Sequence, residues 1–331
     1  MKITPIYPEK NAIVLFCDKN YYDYAKVTIY SLVDCISPDK TYDIVLISDS
    51  EELDINLDLP KNVSLRVFPM EPPSGVTFYE SVHLTKVAYY RLFIPKIFKE
   101  YSRVLYLDGD LVILQNIDEI FRTEFQENEV IGCIKEFHFW ELIKKKPEGM
   151  PKQFKKIHEY YKEILGLTNS DPYINSGVLL FDIQKCLDFG FVEKSLELIE
   201  KNPFPDKYFH CHDQDVINCI CKGRMHFLSN RYNFLSVFVS QYSIDIKYYR
   251  KKIDPKEVQA LIEDSKKVKI LHFASYVKPW KKPYVDYKLS VLWWKVAMNH
   301  GLFEHFAEKL SKNVRQKILD RLNPKDLGDW E

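Results

Sequence analysis

The chain has no excess charge of either sign: Lys plus Arg and Asp plus Glu stand at 47 each in 331 residues. No long-range field therefore draws it to nucleic acid, and any anionic ligand must be held by a local cluster. It has no apolar run near the roughly 20 residues that span a bilayer, and "MKITPIYPEK" has no apolar core of a secretory leader. The expectation is a cytoplasmic protein that stays where it is made. A disulfide framework is not expected either, because the seven cysteines are odd in number and scattered, with Cys17 and Cys133 inside apolar runs. Cys219 and Cys221, with His210 and Cys211 nearby, invite a zinc reading. Structural zinc normally needs at least two residues between paired thiolates and a second matching pair, so a reduced, zinc-free set is expected. Internal repeats and low-complexity tracts are absent. What is present is 46% hydrophobic and 28% charged, the composition of a folded chain long enough for one large domain or two smaller ones.

The apolar runs are short and unbroken. "NAIVLFC", "YDIVLISDS" and "VSLRVFPM" have the pattern of strands covered on both faces, and "YYDYAKVTIYSLVDCI" between the first two has helical spacing. Strand, helix, strand with buried strands predicts an α/β fold with a parallel, doubly wound sheet. A second helical stretch, "SVHLTKVAYYRLFIPKIF", leads into "RVLYL". Beyond residue 114 the pattern loosens: "IKKKPEGMPKQFKKIHEYYKEILGL" reads as a lysine-rich excursion, either a solvated helical hairpin or a flap. "YINSGVLLFDI" returns to strand character. Asp254, Pro255 and Glu257 predict a capped helix start, and the chain from "DYKLSVLWWKVAMNHGLFEHFAEKL" onward reads as an amphipathic, fairly basic helical tail whose Trp293 and Trp294 either pack against the domain or rest on an anionic membrane surface.

In "RVLYLDGDLVIL" two carboxylates, Asp108 and Asp110, flank Gly109 at the C-terminal end of a central strand, where ligands bind in open α/β sheets. If the stretch were all strand, both carboxylates would point to one side and crowd a spot that needs a cation. Carboxylate oxygens suit Mg²⁺ or Mn²⁺, and a glycine between them permits a sharp turn and close approach. A simple Asp/Gly turn after the strand accounts for the same letters. The string also resembles the first motif of haloacid-dehalogenase-like phosphatases, with Asp108 as nucleophile, but that motif normally follows the first core strand and several strand candidates precede it here.

Taken in order, "FCDKNYY", "DGD", "YINSGVLLFDI", "HDQDVIN" and "ILHFASYVKPW" resemble glycosyltransferase family 8, the group that includes lipopolysaccharide galactosyl- and glucosyltransferases and glycogenin. The resemblance runs from about residue 11 to 282. It implies a GT-A fold over residues 1–283, with a Rossmann-like nucleotide-sugar half to about 115, an acceptor half over about 116–283, and a helical tail over 284–331. It implies a retaining hexosyltransferase that moves galactose or glucose from a UDP-sugar to a glycan or glycolipid, with Mn²⁺ or Mg²⁺ held by Asp108, Asp110 and His272. Such an enzyme serves lipopolysaccharide or other cell-surface glycan synthesis, with peripheral contact at the inner membrane face.

The same resemblance assigns Asp18, Asn20 and Tyr21 to uracil and ribose, Arg91, Asn175 and Ser176 to the donor, and Lys278 to the diphosphate. Asp213 and Gln214 fall beside the transferred hexose, Gln214 nearest the anomeric carbon on the face opposite UDP. An amide is a poor nucleophile, which favours attack of the acceptor hydroxyl beside the departing diphosphate and leaves a covalent glycosyl-enzyme as the open alternative. Each residue also has a plainer reading: a strand-ending turn for Asp18 to Tyr21, an internal ion pair for Arg91, a hydrogen-bonded core imidazole for His272, a helix N-terminus with favourable acids for "HDQD". Ser275 stands where the family motif has glycine, and His83 matches a position near the acceptor in some members. A phosphatase and a non-catalytic sugar-nucleotide or glycan binder are the competing functions.

Overall fold

Buried, uncharged runs separated by helices leave the backbone one economical solution, pairing side by side with both faces covered. In the computed structural model, residues 2–50, 53, 57–71, 78, 86–137, 159–168, 171–201, 212–236, 254–274, 278–281, 289–308 and 310–322 are described. The expectations for His83, Ser275, His210 and Cys211, and for most of the lysine-rich excursion, lie outside the described residues. The described strands are β1 (Asn11–Cys17), β2 (Tyr42–Ser48), β3 (Val63–Pro69), β4 (Arg103–Leu107), β5 (Leu111–Ile113), β6 (Ile131–Lys135), β7 (Ile174–Asp182), β8 (Met225–Phe227), β9 (Phe234–Leu235) and β10 (Ile270–His272).

By their contacts the residues form two units. The first comprises Met1–Tyr22, Ser37–Asp108 and Asp118–Asn230. It holds a seven-stranded sheet of order β3-β2-β1-β4-β7-β6-β8. Parallel pairs join β3, β2, β1 and β4, and β6 with β8; β7 runs antiparallel to both β4 and β6. The mostly parallel, Rossmann-like sheet is as expected. One charge in a buried strand is accounted for locally: Asp43 on β2 receives the Arg66 guanidinium at 3.0 and 2.7 Å and the Tyr101 hydroxyl at 2.7 Å, so the buried carboxylate is paired.

The second unit comprises Asp23–Ile36, Gly109–Ile117 and Arg231–Glu331. Its three-stranded sheet has the order β5-β10-β9. The outer edge of β5 is occupied by side chains from the helix α1 (Tyr22–Val33). Leu111 N–H donates to Thr28 Oγ1 (3.1 Å), whose hydroxyl donates to Leu111 O (2.8 Å), and Ile113 N–H donates to Ser31 Oγ (3.0 Å). Helix side chains thus satisfy the edge of a strand only three residues long.

One local expectation changes. The helical reading of residues 86–97 resolves into a 3₁₀ segment, Lys86–Phe93, followed by a short α-helix, Ile94–Ile97. Pro95 is the reason: it has no N–H to donate back to Arg91 and its ring crowds that carbonyl, so an α-helix can begin there but not run through. The Asp-Gly-Asp stretch lies in a turn after β4, as the turn reading of those letters expects. Gly109 is not among the described residues with positive φ, which include Gly166, Gly190, Gly223 and Gly301, so it contributes the lack of a side chain and not a left-handed backbone.

The expected helical tail is present as Ser290–Asn299, Phe303–Ala307 and Lys312–Arg321. Trp293 and Trp294 are 0% and 1% exposed, so these rings belong to the core of the second unit and are not free to lie on a membrane. Among the described residues, no helix is long and apolar enough to cross one.

Candidate functional site

Strands β1 and β4 are parallel neighbours, with Leu15 opposite Leu107, and successive strands β2 and β3 lie on the far side of β1. That reversal of strand order makes the carboxyl ends of the two strands a topological switch point, where open α/β sheets bind ligands. Asp18 and Asp108 follow β1 and β4 at this edge. Asp18 Oδ1 accepts from Tyr21 N–H at 2.9 Å; Asn20 is exposed and Tyr21 half-buried. Because β7 is antiparallel, its first residues reach the same edge: Asp108 N–H donates to Gly177 O (2.9 Å), and Asn175 Oδ1 accepts from Gly177 N–H (2.9 Å).

Arg91, from the 3₁₀ segment that Pro95 terminates, organises this edge. Its guanidinium meets Asp108 Oδ1 through Nη2 (3.1 Å) and Asp213 Oδ2 through Nε (3.1 Å). Nη1 donates to the Ser176 carbonyl (2.8 Å) and to Ser176 Oγ (3.0 Å). The plane also lies over the Tyr106 ring, 4.4 Å from its centroid, and the Tyr106 hydroxyl donates to Asp108 Oδ1. A planar fork with fixed donors suits two carboxylates better than a lysine would. Burial pushes the Asp213 carboxyl above its usual range; Arg91 opposes this and the nearby Asp108 charge adds to it.

Asp213 and Gln214 are carried by the helix His212–Ile220, whose first turn holds Asp213 and Asp215, as the acid-bearing N-terminus reading of "HDQD" expects. Gln214 Oε1 accepts from Ser176 N–H at 2.9 Å, and Ser176 Oγ is 3.1 Å from Asp213 Oδ2. Ser176 therefore ties Arg91, Asp213 and Gln214 into one buried network. Tyr106 and Asn218, which bonds the backbone of Ile174 on both sides at 2.8 and 3.1 Å, were not among the expected site residues. Tyr106 carried a signal, since it precedes Asp108 by two residues and so points to the same side at the strand end.

Asp110 has different company. Its Oδ1 is 3.2 Å from His272 Nε2, and its Oδ2 accepts from Lys278 Nζ, which also donates to Phe273 O at 2.8 Å. Phe273 N–H donates to the Asp110 carbonyl at 3.1 Å, continuing the pairing of β5 with β10. Burial would raise the Asp110 carboxyl, but the Lys278 and His272 charges outweigh it and hold it well below the usual carboxylate range. His272 is fixed from behind by Asn233 Oδ1, 2.8 Å from Nδ1. No sequence signal distinguished Asn233.

This donor set fits a hard divalent cation. Asp108 is joined to Asp110 through Gly109 alone, Asp110 faces His272 within the second unit, and one ligand atom from each of the three lies within 4.8 Å of the others. Asn233 Oδ1 can only accept, so it takes the proton of His272 Nδ1 and leaves Nε2, the nitrogen that would ligate a shared cation, directed at the Asp110 oxygen. Among the described residues no other such cluster of His, Cys, Asp or Glu occurs, and the described cysteines are free thiols.

A half-Rossmann sheet, an Asp-Gly-Asp turn at its switch point and an antiparallel strand beside it are the marks of a GT-A glycosyltransferase. Solved structures share the fold. The bifunctional glycosyltransferase WbbM superposes with a TM-score of 0.70 at 19% identity, covering 93% of this chain and 53% of that one. The galactosyltransferase LgtC, solved with donor and acceptor sugar analogs, gives 0.60 at 18% identity over 92% and 99%.

The chain belongs to glycosyltransferase family 8, whose model matches residues 12–283. It is 27% identical over 213 residues to General stress protein A of Bacillus subtilis, covering 62% of this chain and 65% of that protein. It is 26% identical over 232 residues to the lipopolysaccharide 1,2-glucosyltransferase of Escherichia coli K12, covering 70% and 59%. The chain thus spans less than two thirds of the length of these curated relatives.

Proposed function

We propose that this glycosyltransferase is a divalent-metal-dependent, retaining hexosyltransferase that takes galactose or glucose from a UDP-sugar and delivers it to a glycan or glycolipid. The observation that carries the reading is the 3.2 Å approach of His272 to Asp110, two side chains 162 positions apart in sequence and backed by Asn233 and Lys278. A turn that merely capped a strand would have no need of them. Residues 1–283 form the catalytic region in this reading, with the nucleotide-sugar half ending near 115.

Asp108, Asp110 and His272 would hold the metal, Mn²⁺ or Mg²⁺; when bound, such a cation neutralises charge on a diphosphate leaving group. The chain's own groups have separate tasks. Lys278 stands beside Asp110 as a compact positive charge for a diphosphate oxygen, while Asp18, Asn20 and Tyr21 at the end of β1 are disposed for the nucleoside. Arg91 locks Asp108, Asp213 and Ser176 in one arrangement, so the donor sugar meets fixed dipoles, which is where electrostatic catalysis gains most. Gln214, with Oε1 engaged by the Ser176 amide, has its Nε2 left to donate. Asp213, paired with Arg91, accepts from hexose hydroxyls. The acceptor hydroxyl attacks on the face the diphosphate leaves, and its proton passes to a departing phosphate oxygen.

Thermal shift against a panel of sugar nucleotides tests this reading, because a ligand bound only by the folded state raises its apparent stability. UDP-hexoses should raise the melting temperature only with Mn²⁺ or Mg²⁺, and UDP-sugar hydrolysis should show the same requirement. Full activity in excess chelator contradicts the reading. Tight UDP binding without turnover of any sugar nucleotide would point instead to a binder that has kept the fold.

A further inference from the structure

Lys278 is held by a turn whose supports lie largely outside the region that defines the family. The family model ends at residue 283, yet Trp294, on the helix Ser290–Asn299, donates its indole N–H to the carbonyl of Pro279 at 3.0 Å. Trp280, next in the turn, stacks on Tyr24 of α1 with ring centroids 4.1 Å apart and planes 11° from parallel. Tyr24 in turn stacks on Phe306 (5.5 Å), and Trp293 packs against both Trp280 (5.1 Å) and Phe306 (4.8 Å). Lys281 N–H closes the turn onto the Lys278 carbonyl at 3.0 Å. All of these residues belong to the second unit, together with Asp110, His272 and the Phe273 carbonyl that Lys278 grips.

Stacked aromatic pairs and an indole hydrogen bond to a buried carbonyl are directional, unlike general apolar burial. They fix not only that Pro279 is buried but where the backbone of the turn lies. We infer that Tyr24 and Trp294 are positioning residues: acting through Trp280 and Pro279, they hold Lys278 against Asp110 and so preset the diphosphate-binding edge. The helix Ser290–Asn299 and its neighbour Phe303–Ala307 are in this view a buttress of the donor site. The link to donor binding rests on the reading of Asp110 and Lys278 given above; the positioning of Lys278 does not.

Two variants separate positioning from bulk stability. Trp294→Phe keeps an aromatic ring but removes the indole donor aimed at Pro279 O, and Tyr24→Leu keeps apolar volume but removes the stack, while Tyr24→Phe preserves it. The first readout needs no nucleotide: the rate at which an amine-acylating reagent modifies Lys278 in the folded protein, followed by peptide mass spectrometry. Loss of one such contact should speed modification of Lys278 about three- to tenfold, with other lysines unchanged. The second readout is calorimetric titration with UDP in the presence of Mn²⁺, where affinity should fall by a similar factor in Trp294→Phe and Tyr24→Leu and recover in Tyr24→Phe. A lower melting temperature with unchanged Lys278 reactivity in both variants would overturn the inference. Wild-type protein that ignores UDP while the reactivity change appears would overturn the donor-site reading and leave the positioning role standing. If Trp294→Phe does not fold, Tyr24→Leu with its Tyr24→Phe control decides the matter.

Discussion

One glycine separates Asp108 from Asp110, yet the two carboxylates are held in different ways. Asp108 sits in a network drawn from four places in the first unit: Arg91 from a 3₁₀ segment, Tyr106 from β4, Ser176 from β7 and Asp213 from a helix start. Asp110 is held from one late stretch of the second unit, by His272 and Lys278. The first environment is cross-braced, so each member is fixed by more than one partner. The second depends on a short strand and a turn, which explains why it needs a backing amide at Asn233 and aromatic support behind the turn.

The largest expected effect breaks the Asp110 side. Asp110→Asn keeps the shape but removes the charge shared by His272 and Lys278, and transfer should drop by about 10² to 10³-fold, the range seen when one transition-state-stabilising group is lost. The fold should persist, as followed by circular dichroism. Arg91→Lys tests the braced side. A point charge cannot meet Asp108, Asp213 and Ser176 together, so steady-state kinetics should show kcat reduced about 10- to 100-fold through misplacement of the donor edge, with a lower denaturation midpoint. Were Arg91→Lys harmless while Asp110→Asn was not, the cross-bracing would have no functional weight.

The smallest effect is a control far from both carboxylates. Asp118 accepts from Ser37 Oγ (2.9 Å), Lys40 Nζ (2.6 Å) and the Tyr42 hydroxyl (2.8 Å). Burial pushes its carboxyl up, but these donors outweigh it and hold it below its usual value. A depressed carboxyl stabilises the fold in its ionised form. Asp118→Asn should therefore cost about 1–2 kcal/mol at neutral pH, a gap fully present above about pH 4 and closing as pH falls through the lower folded-state value. Chemical denaturation of both proteins at pH 7 and pH 3 reads the gap directly, and donor binding at pH 7 should be unaffected.

Much of the first unit was legible in the sequence because its information is local. The runs at 11–17, 42–48, 103–107 and 174–182 announce buried strands by composition, while that at 63–69, expected to be covered on both faces, is an edge strand and mostly half-buried; in the second unit, Asp254 announces a helix start that it does cap, accepting from Lys256 N–H at 2.8 Å. Asp108, Asp110 and His272 were legible as a set only through family resemblance, since nothing in "ILH" says that β10 will pair antiparallel with β5 and set His272 opposite Leu111. Pairings of two or three residues between distant segments carry almost no periodic signal. At Asp108 to Asp110 the letters left strand and turn both open, because the flanks are strongly strand-forming; the break is visible only once β5 is seen to join another sheet. Arg91 was ambiguous for a physical reason. An arginine in a run of tyrosines can serve the interior or a ligand, and here it fills an internal ion-pair network at the very edge where a ligand is proposed to bind.

Titration of Mn²⁺ into wild-type protein and Asp110→Asn, each with and without UDP and followed by electron paramagnetic resonance, tests most directly whether this turn grips a nucleotide through a metal. The expected result is that wild type takes up Mn²⁺ far more tightly when UDP is present and that Asp110→Asn loses this response. Equal Mn²⁺ uptake by the two proteins, or UDP binding that survives complete removal of divalent ions, would contradict it.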